Sequence, residues 1–361
     1  MTFRQTLLRL HLIVGCAAAP FLLVAGLSGA VVVFENPYAD RVANTSMTHV
    51  SPGTTVLALD AVRDSLRLRY PGANVTDVSF PLEGRNTLVI GLSIPGEKGG
   101  RSLFVDPWRG LITGDAQEAR SPLRWAHNLH TRLMLGKPGQ LAVAWTAVAL
   151  VFLSITGLWL WWPGKILRVR RGASARRMIF ELHNVLGGIS WVFMFIFGVT
   201  GMIVHWEDGA QRLLLAVTGA QRPAPLPKPT GACENRPVAS LDLIRASIAA
   251  AVPGAYATSI QFGDKPTDDV RARMRYPEDK TPAGRSGVIA ERCTGRVMYA
   301  VSTRDAPLAW TWPRMWNRSV HTGDVWGWPT RLLAVLMALV LPAMALTGPA
   351  IWWTRRAKRN T

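Results

Sequence analysis

The chain has 361 residues, enough for two ordinary soluble domains, but its 15 tryptophans and its mean hydropathy of +0.15 favour a membrane protein. Its formal net charge is +18, yet twelve of the 41 Lys and Arg residues (two, six and four) fall in three short segments beside long apolar runs. This part of the charge is a topology signal rather than a nucleic-acid-binding surface, and we predict no DNA or RNA partner.

Four apolar runs are each long enough to cross a hydrocarbon core of about 30 Å at about 1.5 Å per residue. They cover residues 7–34, 139–162, 179–206 and 330–353. The first run resembles a cleaved signal, but a signal core has only about 7–15 apolar residues, and this run continues well past Cys16. We therefore predict four transmembrane helices, with Cys16 as a packing residue in the first.

The short basic segments predict the orientation. Arg4 and Arg9 lie at the N-terminal end of the first run, six Lys and Arg residues lie in residues 164–177, and four more follow the last run. By the positive-inside rule these segments and both termini are cytoplasmic, and two long segments lie on the periplasmic side of a bacterial inner membrane. The predicted fold class is an all-α transmembrane four-helix bundle with two small periplasmic α+β domains, built as an internal tandem repeat.

The chain divides into eight predicted segments. In chain order these are the first transmembrane helix (1–35), the first periplasmic domain (36–122), an interfacial helix with the second transmembrane helix (123–163), a basic cytoplasmic loop (164–177), the third transmembrane helix (178–206), the second periplasmic domain (207–307), a Trp-rich interfacial segment with the fourth transmembrane helix (308–354), and a cytoplasmic tail (355–361).

Each periplasmic domain has the pattern of one helix followed by short strands, which predicts one helix on a small antiparallel sheet in each domain. In the first domain the helix covers residues 56–70 and the strands cover 75–80, 87–93 and 102–105. In the second domain the corresponding ranges are 241–252 for the helix and 257–262, 270–275 and 287–291 for the strands. Residues 223–229 form a Pro-rich linker that acts as a spacer.

The internal repeat consists of matching residues at two fixed offsets. At an offset of 172, His11 matches His183 and Ser28-Gly29 matches Thr200-Gly201. At an offset of 191 the second and fourth runs match at Trp125/Trp316, His130/His321, Thr131/Thr322, Gly136/Gly327, Pro138/Pro329, Thr156-Gly157/Thr347-Gly348 and Trp161-Trp162/Trp352-Trp353. Such offsets predict parallel repeats related by an axis along the membrane normal.

The repeat supplies two candidate ligand pairs for haem. A haem iron held by two imidazoles needs histidines on different helices, at the same depth in an apolar slot. His11 and His183 lie near the cytoplasmic ends of the first and third helices, and His130 and His321 lie near the outer ends of the second and fourth. Ionisable or metal-binding side chains in membrane helices are functional candidates. We predict two haem groups rather than zinc ions, because these histidines have no thiolate or carboxylate ligands beside them. The haem groups are predicted to be b-type, because the sequence has no CxxCH motif for covalent attachment.

Two other histidines fit the repeat less well. His205, at the outer end of the third helix, and His127, one turn before His130, have Val33 and Arg318 at the equivalent positions. His205 remains an alternative axial ligand because its depth is suitable.

Several smaller features have two interpretations. The Ser/Thr-Gly pairs favour either close helix approach or room for a flat porphyrin. The double Trp at 161–162 and 352–353 is typical of an aromatic belt, and residues 308–328, with five Trp beside His321, form either a belt or a substrate-docking wall. Cys233 and Cys293 share one outer segment, where a disulfide is permitted.

Three motifs resemble signatures of the PepSY-associated transmembrane family. They are Asn128-Leu129-His130-Thr131-Arg132-Leu133 with Gly136-Lys137-Pro138-Gly139, His321-Thr322-Gly323 with Gly327, and Thr156-Gly157 with Trp161-Trp162-Pro163. The resemblance covers nearly the whole chain and supports His130 and His321 best. The family includes haem-containing ferrisiderophore reductases, among them reductases of ferrioxamine. The resemblance therefore implies PepSY modules in the two outer segments, haem b, and reductive release of iron.

On this basis we predict that the protein is an oxidoreductase. It would be a ferric reductase that passes electrons across the inner membrane to a ferric siderophore and releases Fe(II). We assign no catalytic side chain. The expected partners are the ferric siderophore, the lipid bilayer and a separate electron donor. This donor is a quinol or a soluble reductase, because no cytoplasmic segment is long enough for a flavin or nicotinamide domain. Two alternatives stay open: a haem reductase for copper or a sulfur oxyanion, and a non-enzymatic PepSY sensor or binding protein.

Overall fold

The chain folds into two compact units. The computed structural model describes residues 2–35, 45–82, 85–97, 99–116, 122–170, 172–227, 233, 236–263, 269–281 and 283–357. The helical bundle unit comprises Met1–Glu35, Leu123–Ala210 and Asn317–Thr361. The sheet unit comprises Asn36–Pro122 and Gln211–Trp316.

Helices alternate with two groups of strands along the chain. The helices are α1 Phe3–Val32, α2 Thr45–Thr48, α3 Leu59–Arg69, α4 Pro122–Arg132, α5 Gly136–Trp161, α6 Ala175–His205, α7 Glu207–Thr218, α8 Leu241–Ala251, α9 Leu308–Thr311, a π-helical turn at Trp312–Trp316, α10 Asn317–Thr322 and α11 Trp328–Ala357. The strands are β1 Asn74–Ser79, β2 Leu88–Ser93, β3 Arg101–Val105, β4 Ile112–Asp115, β5 Tyr256–Gln261, β6 Val270–Arg275, β7 Ser286–Ala290 and β8 Val297–Val301.

Four helices are long and apolar enough to cross a membrane. Their candidate spans are Phe3–Val32, Gly136–Trp161, Ala175–His205 and Trp328–Thr354. The prediction of four spans, and hence of a multi-pass membrane protein, is confirmed. The first helix begins earlier than the apolar run because the Thr2 side chain accepts a hydrogen bond from the backbone of Gln5, and the Gln5 side chain accepts one from Thr2 in return.

The four long helices form a bundle. Helix α1 packs against α5 and α11, and α6 packs against the same two helices. Glycines allow the backbones to approach closely. A Cβ at Gly26 of α1 would lie 2.5 Å from Pro342 Cδ and 2.8 Å from the Ala338 oxygen of α11, and one at Gly198 of α6 would lie 3.1 Å from the Ala147 oxygen of α5.

The sheet unit contains one eight-stranded antiparallel sheet in the order β4-β3-β2-β1-β5-β6-β7-β8. Strands β1–β4 lie between α3 and α4 in the chain, and β5–β8 lie between α8 and α9. The halves join where β1 pairs with β5, with Asp77 opposite Gln261 and Ser79 opposite Ser259. The expected α+β halves are therefore present, but they share one sheet instead of forming two separate ones, because pairing between the halves covers an edge strand of each.

One core serves both halves of the sheet unit. Buried side chains from α3, α8 and both strand sets pack in a single cluster that includes Leu66, Ile90, Ile248, Phe262 and Met274. The Pro-rich segment has no helix or strand over residues 223–227, and its last two residues, 228–229, lie outside the described residues.

The two helices of the sheet unit cap each other. The Asp242 carboxylate accepts hydrogen bonds from the backbone N–H groups of Leu59 and Asp60, both at 2.9 Å. The Asp60 carboxylate in turn accepts from the N–H groups of Leu241 and Asp242, at 3.1 and 3.2 Å, and from the Ser240 hydroxyl. Each carboxylate thus satisfies N–H groups that the first turn of the other helix leaves unpaired.

Candidate functional site

The four predicted haem ligands lie in the helical bundle unit on four different helices. His11 is in α1, His183 in α6, His130 in α4 and His321 in α10, and all four side chains are half-buried. The pair His130 and His321, named the outer pair after the orientation predicted from the sequence, is thus carried by short helices that precede α5 and α11. His11 and His183 are named the inner pair. The connecting turns need left-handed backbone, which the repeat-related Gly136 and Gly327 adopt with φ of 65° and 70°.

The two pairs belong to opposite ends of the bundle. His11 and Ser28 are 17 residues apart on α1 (28 − 11), and His183 and Thr200 are 17 apart on α6 (200 − 183). Seventeen residues of α-helix rise about 26 Å, close to the thickness of a hydrocarbon core. Because Ser28 and Thr200 contact the outer histidines, the inner and outer pairs are separated by about this distance along the helices.

His130 and His321 lie close together. Their ring centroids are 6.2 Å apart and their planes make an angle of 49°. With a metal–imidazole bond of about 2.0 Å and about 1.1 Å more from the nitrogen to the ring centre, two imidazoles on opposite sides of one metal ion would have centroids about 6.2 Å apart. The separation therefore matches that of two imidazoles on one metal ion.

The inner histidines bond to repeat-related threonines. His11 Nδ1 lies 2.8 Å from Thr156 Oγ1, and His183 Nδ1 lies 2.8 Å from Thr347 Oγ1. The first contact joins α1 to α5 and the second joins α6 to α11. Within the described residues, no ring contact joins His11 to His183, whereas one joins His130 to His321.

The outer histidines use the other two Ser/Thr-Gly pairs. His321 Nδ1 lies 2.7 Å from Thr200 Oγ1. His130 Nδ1 lies 3.0 Å from the Ala25 carbonyl oxygen and 3.4 Å from Ser28 Oγ. Each of the four hydroxyls predicted from the repeat therefore lies beside one histidine, a role that sequence reasoning missed when it assigned these residues to helix packing or porphyrin clearance.

The hydroxyl hydrogens determine which ring nitrogen carries the proton. Ser28, Thr156, Thr200 and Thr347 each donate to the carbonyl oxygen four residues earlier, at 2.6–2.7 Å. Since a hydroxyl has one hydrogen, its oxygen accepts from the imidazole, and Nδ1 is the protonated nitrogen. Nε2 then keeps the lone pair that a metal ion requires. Among the described residues, none of the four Nε2 atoms makes a hydrogen bond.

The glycine after each hydroxyl lies against the same histidine ring. Distances from a Cβ at these positions to the histidine Cε1 atom would be 3.0 Å at Gly29, 3.2 Å at Gly157, 3.6 Å at Gly201 and 3.7 Å at Gly348. A side chain at Gly29 or Gly157 would crowd the imidazole. The glycine thus provides clearance for the ring in all four pairs. In the three Thr-Gly pairs the hydroxyl is also the nearest acceptor for Nδ1, whereas beside Ser28 the Ala25 carbonyl oxygen is nearer.

Asn317 is a further site residue that the sequence did not indicate. It is fully buried, and its Nδ2 donates to the Thr200 carbonyl oxygen at 3.1 Å. This bond holds α10, which carries His321, against α6. The residue at the repeat-equivalent position is Ala126, so the repeat gave no signal for it.

The two less favoured histidines have other neighbours. His127 Nδ1 lies 2.5 Å from a carboxylate oxygen of Glu35. The His205 ring packs edge-on against Trp206, with centroids 4.8 Å apart. Within the described residues, no ring contact joins His205 to another histidine.

The Trp-rich stretch is divided between the two units. Trp310 is buried in a small apolar cluster, and Trp312 stacks on Trp316 at 6.4 Å, all in the sheet unit. Trp326 and Trp328, in the bundle unit, are 79% and 52% exposed. The docking-wall interpretation stays a prediction.

Cys233 and Cys293 form a disulfide in the sheet unit. With Glu291 they bring three potential metal-binding atoms within 4.8 Å of one another. Both sulfurs are consumed by the disulfide, so this group is not a metal centre.

Comparison with known proteins places the whole bundle in one family. The sequence model of one protein family, the PepSY-associated TM region, matches residues 8–355 of this chain. This range includes all four paired histidines. A stretch of 140 residues is 33% identical to PA4219, an uncharacterized protein of Pseudomonas aeruginosa, and the match covers 35% of each chain. This chain therefore matches about a third of the length of that relative.

Proposed function

Because the chain belongs to the PepSY-associated transmembrane family, we propose that it is a ferric reductase of the bacterial inner membrane that holds two haem b groups and reduces ferric siderophores on the outer side. One observation carries the proposal. In two repeat-related histidine pairs, each Nδ1 lies within hydrogen-bond distance of a hydroxyl or carbonyl oxygen, and no Nε2 has a hydrogen-bond partner among the described residues.

The donor set fits haem better than zinc. A histidine pair would supply the two ligands that a haem iron takes from the protein, whereas zinc needs four ligands from protein and water. Among the described residues, no cluster of three His, Cys, Asp or Glu residues includes a paired histidine. When bound, haem would supply reversible one-electron transfer between Fe(III) and Fe(II).

The side chains of the bundle perform the remaining tasks. His11 and His183 would hold the inner group, and His130 and His321 the outer one. An apolar cluster that includes Leu22, Leu150 and Met194 lies between the two sites along the helices and would exclude water there. The protein thereby supplies position, axial ligands and a low-dielectric setting, while the two ends of the bundle correspond to the two faces of the membrane.

Ferric siderophores are suitable substrates for such a protein. Hydroxamate and related siderophores hold Fe(III) through hard oxygen donors, and one added electron gives Fe(II), which these donors hold more weakly. Reduction is therefore a release step that yields Fe(II) and the free siderophore. The PepSY-type sheet unit is the proposed region that recognises the ferric complex.

The electrons come from a separate molecule. By the positive-inside rule the basic segments, both termini and the inner histidine pair face the cytoplasm, and the sheet unit is periplasmic. A quinol or a soluble reductase would donate on the inner side.

The experiment uses detergent-purified full chain, reduced anaerobically with dithionite and freed of excess reductant. Adding a ferric hydroxamate and an Fe(II) chelator should reoxidise the haem bands and give about one chelated Fe(II) per electron removed. The His321→Ala variant serves as the control and should react more slowly. Reoxidation by Cu(II) or tetrathionate but not by ferric hydroxamate would identify a different acceptor. A haem-free protein would favour the non-enzymatic sensor.

A further inference from the structure

We infer that Thr156, Thr200 and Thr347 are positioning residues for metal ligation, and that Ser28, although it is the repeat equivalent of Thr200, is dispensable for it. The inference rests on the proposed haem function. It goes further by assigning a role to hydroxyls that neither the repeat nor the family match explains.

The need for positioning follows from the chemistry of imidazole. A neutral ring carries its proton on either nitrogen, and the ring turns about its bond to Cβ. Only a ring with its proton on Nδ1 offers Nε2 to a metal. An acceptor at Nδ1 selects this tautomer, fixes the ring orientation and increases the basicity of Nε2.

Three histidines depend on one hydroxyl each. Thr156 is the only hydrogen-bond partner of His11 among the described residues, Thr347 that of His183, and Thr200 that of His321. Each contact is 2.7 or 2.8 Å long, the distance of a well-formed hydrogen bond.

The fourth histidine has two acceptors. His130 Nδ1 donates to the Ala25 carbonyl at 3.0 Å, and Ser28 Oγ is farther away, at 3.4 Å. A carbonyl oxygen has no hydrogen and accepts whatever the state of the hydroxyl. Removing the Ser28 hydroxyl therefore leaves the tautomer of His130 unchanged, whereas removing the Thr200 hydroxyl leaves His321 without a partner.

The test compares Thr200→Val with Ser28→Ala in detergent-purified full chain. The readouts are the transfer of haem to excess apomyoglobin and the midpoint potentials of the two haem components. Thr200→Val should weaken retention of the outer haem about 10–100-fold and raise its midpoint potential, because a less basic ligand stabilises Fe(III) less. Ser28→Ala should stay within about twofold of the parent, and Thr200→Ser should restore the parent behaviour.

In the Thr200 and Ser28 variants, retention of the inner haem reports whether the protein is folded, because these substitutions do not change the inner ligands or their hydrogen-bond partners. Thr156→Val provides a second test at His11, where the inner component should weaken instead. Its matched control is Ser154→Ala, because Ser154 is buried on the same helix and, among the described residues, its hydroxyl bonds to the Leu150 carbonyl alone. Two haems in the parent with unchanged retention and potential in both Thr→Val variants would overturn this inference alone. A parent without haem would overturn the proposed function as well.

Discussion

Asp60 and Asp242 each cap the helix that carries the other. They are 182 positions apart in the sequence, yet each carboxylate accepts two backbone N–H hydrogen bonds from the first turn of the opposite helix. With the β1–β5 pairing, this contact joins the two halves of the sheet unit into one structure.

Replacing Asp60 with Ala should destabilise the sheet unit. The change removes the acceptor for Leu241, Asp242 and Ser240 at the start of α8, and the loss of such a cap costs about 1 kcal/mol. The measurement is the urea midpoint of the purified full chain, followed by tryptophan fluorescence. Asp64→Ala is the matched control, because Asp64 lies on the same helix, is 62% exposed and pairs with Arg63. Equal midpoints for the two variants would show that the cap contributes nothing.

The same cap predicts a pH dependence. Desolvation acts to raise the pKa of Asp60, but hydrogen bonds from Ser240, Leu241 and Asp242 and the charge of Arg63 outweigh it, so the pKa falls below the ordinary 3.8. A carboxyl whose pKa is lower in the folded state stabilises the fold above its unfolded pKa. This contribution is lost as pH falls through the folded value. The urea midpoint should therefore drop below about pH 4, and Asp60→Asn should show a smaller drop. Identical pH profiles would contradict the assignment.

Alkaline-phosphatase fusions test the orientation. The positive-inside rule places residues 164–177 in the cytoplasm and both long segments outside. Fusions at Gly99 and Gly263 should show alkaline-phosphatase activity, and a fusion at Gly172 should show none. The opposite pattern would invert the proposed direction of electron transfer.

Alanine variants test which histidines share a site. His130→Ala and His321→Ala should each remove the same haem component and lower the haem content from two to one per chain, because one iron needs both ligands. The measurement is the reduced-minus-oxidised spectrum with a redox titration. His205→Ala is the control and should keep both components. Loss of the outer component in His205→Ala, with His130→Ala unaffected, would assign the ligand to α6 instead.

The inner pair has a functional test. In proteoliposomes with dithionite trapped inside and ferric hydroxamate outside, His11→Ala should slow Fe(II) release about tenfold or more. The reason is that the outer site is intact but loses its supply of electrons. Undiminished release would make His11 an interfacial anchor.

Much of the bundle could be predicted from the sequence, because hydropathy is a local property of the chain and the two constant offsets are visible by comparing the sequence with itself. The offsets identified the histidine pairs and the Ser/Thr-Gly pairs but not their contacts. Those contacts depend on how each helix is rotated toward its neighbours, which no single-helix pattern contains. Asn317 was missed for a related reason, since its partner is a backbone carbonyl on another helix.

The sheet was harder to predict. Strand β4 is four residues long and mostly half-buried, and β8 is a continuous apolar run without alternation, so neither has the period-two pattern of a half-buried strand. The β1–β5 pairing joins strands from different segments, and no local signal specifies such a partner. The sequence therefore predicted two sheets where the structure has one.

A pyridine haemochrome assay on detergent-purified protein tests the central claim most directly. Two histidine pairs, each with Nε2 left for a metal, predict two b-type haems per chain, released without covalent attachment. A value of one would mean that one pair is not a ligand pair. A protein that carries no haem after expression in haem-sufficient cells would contradict the proposed function.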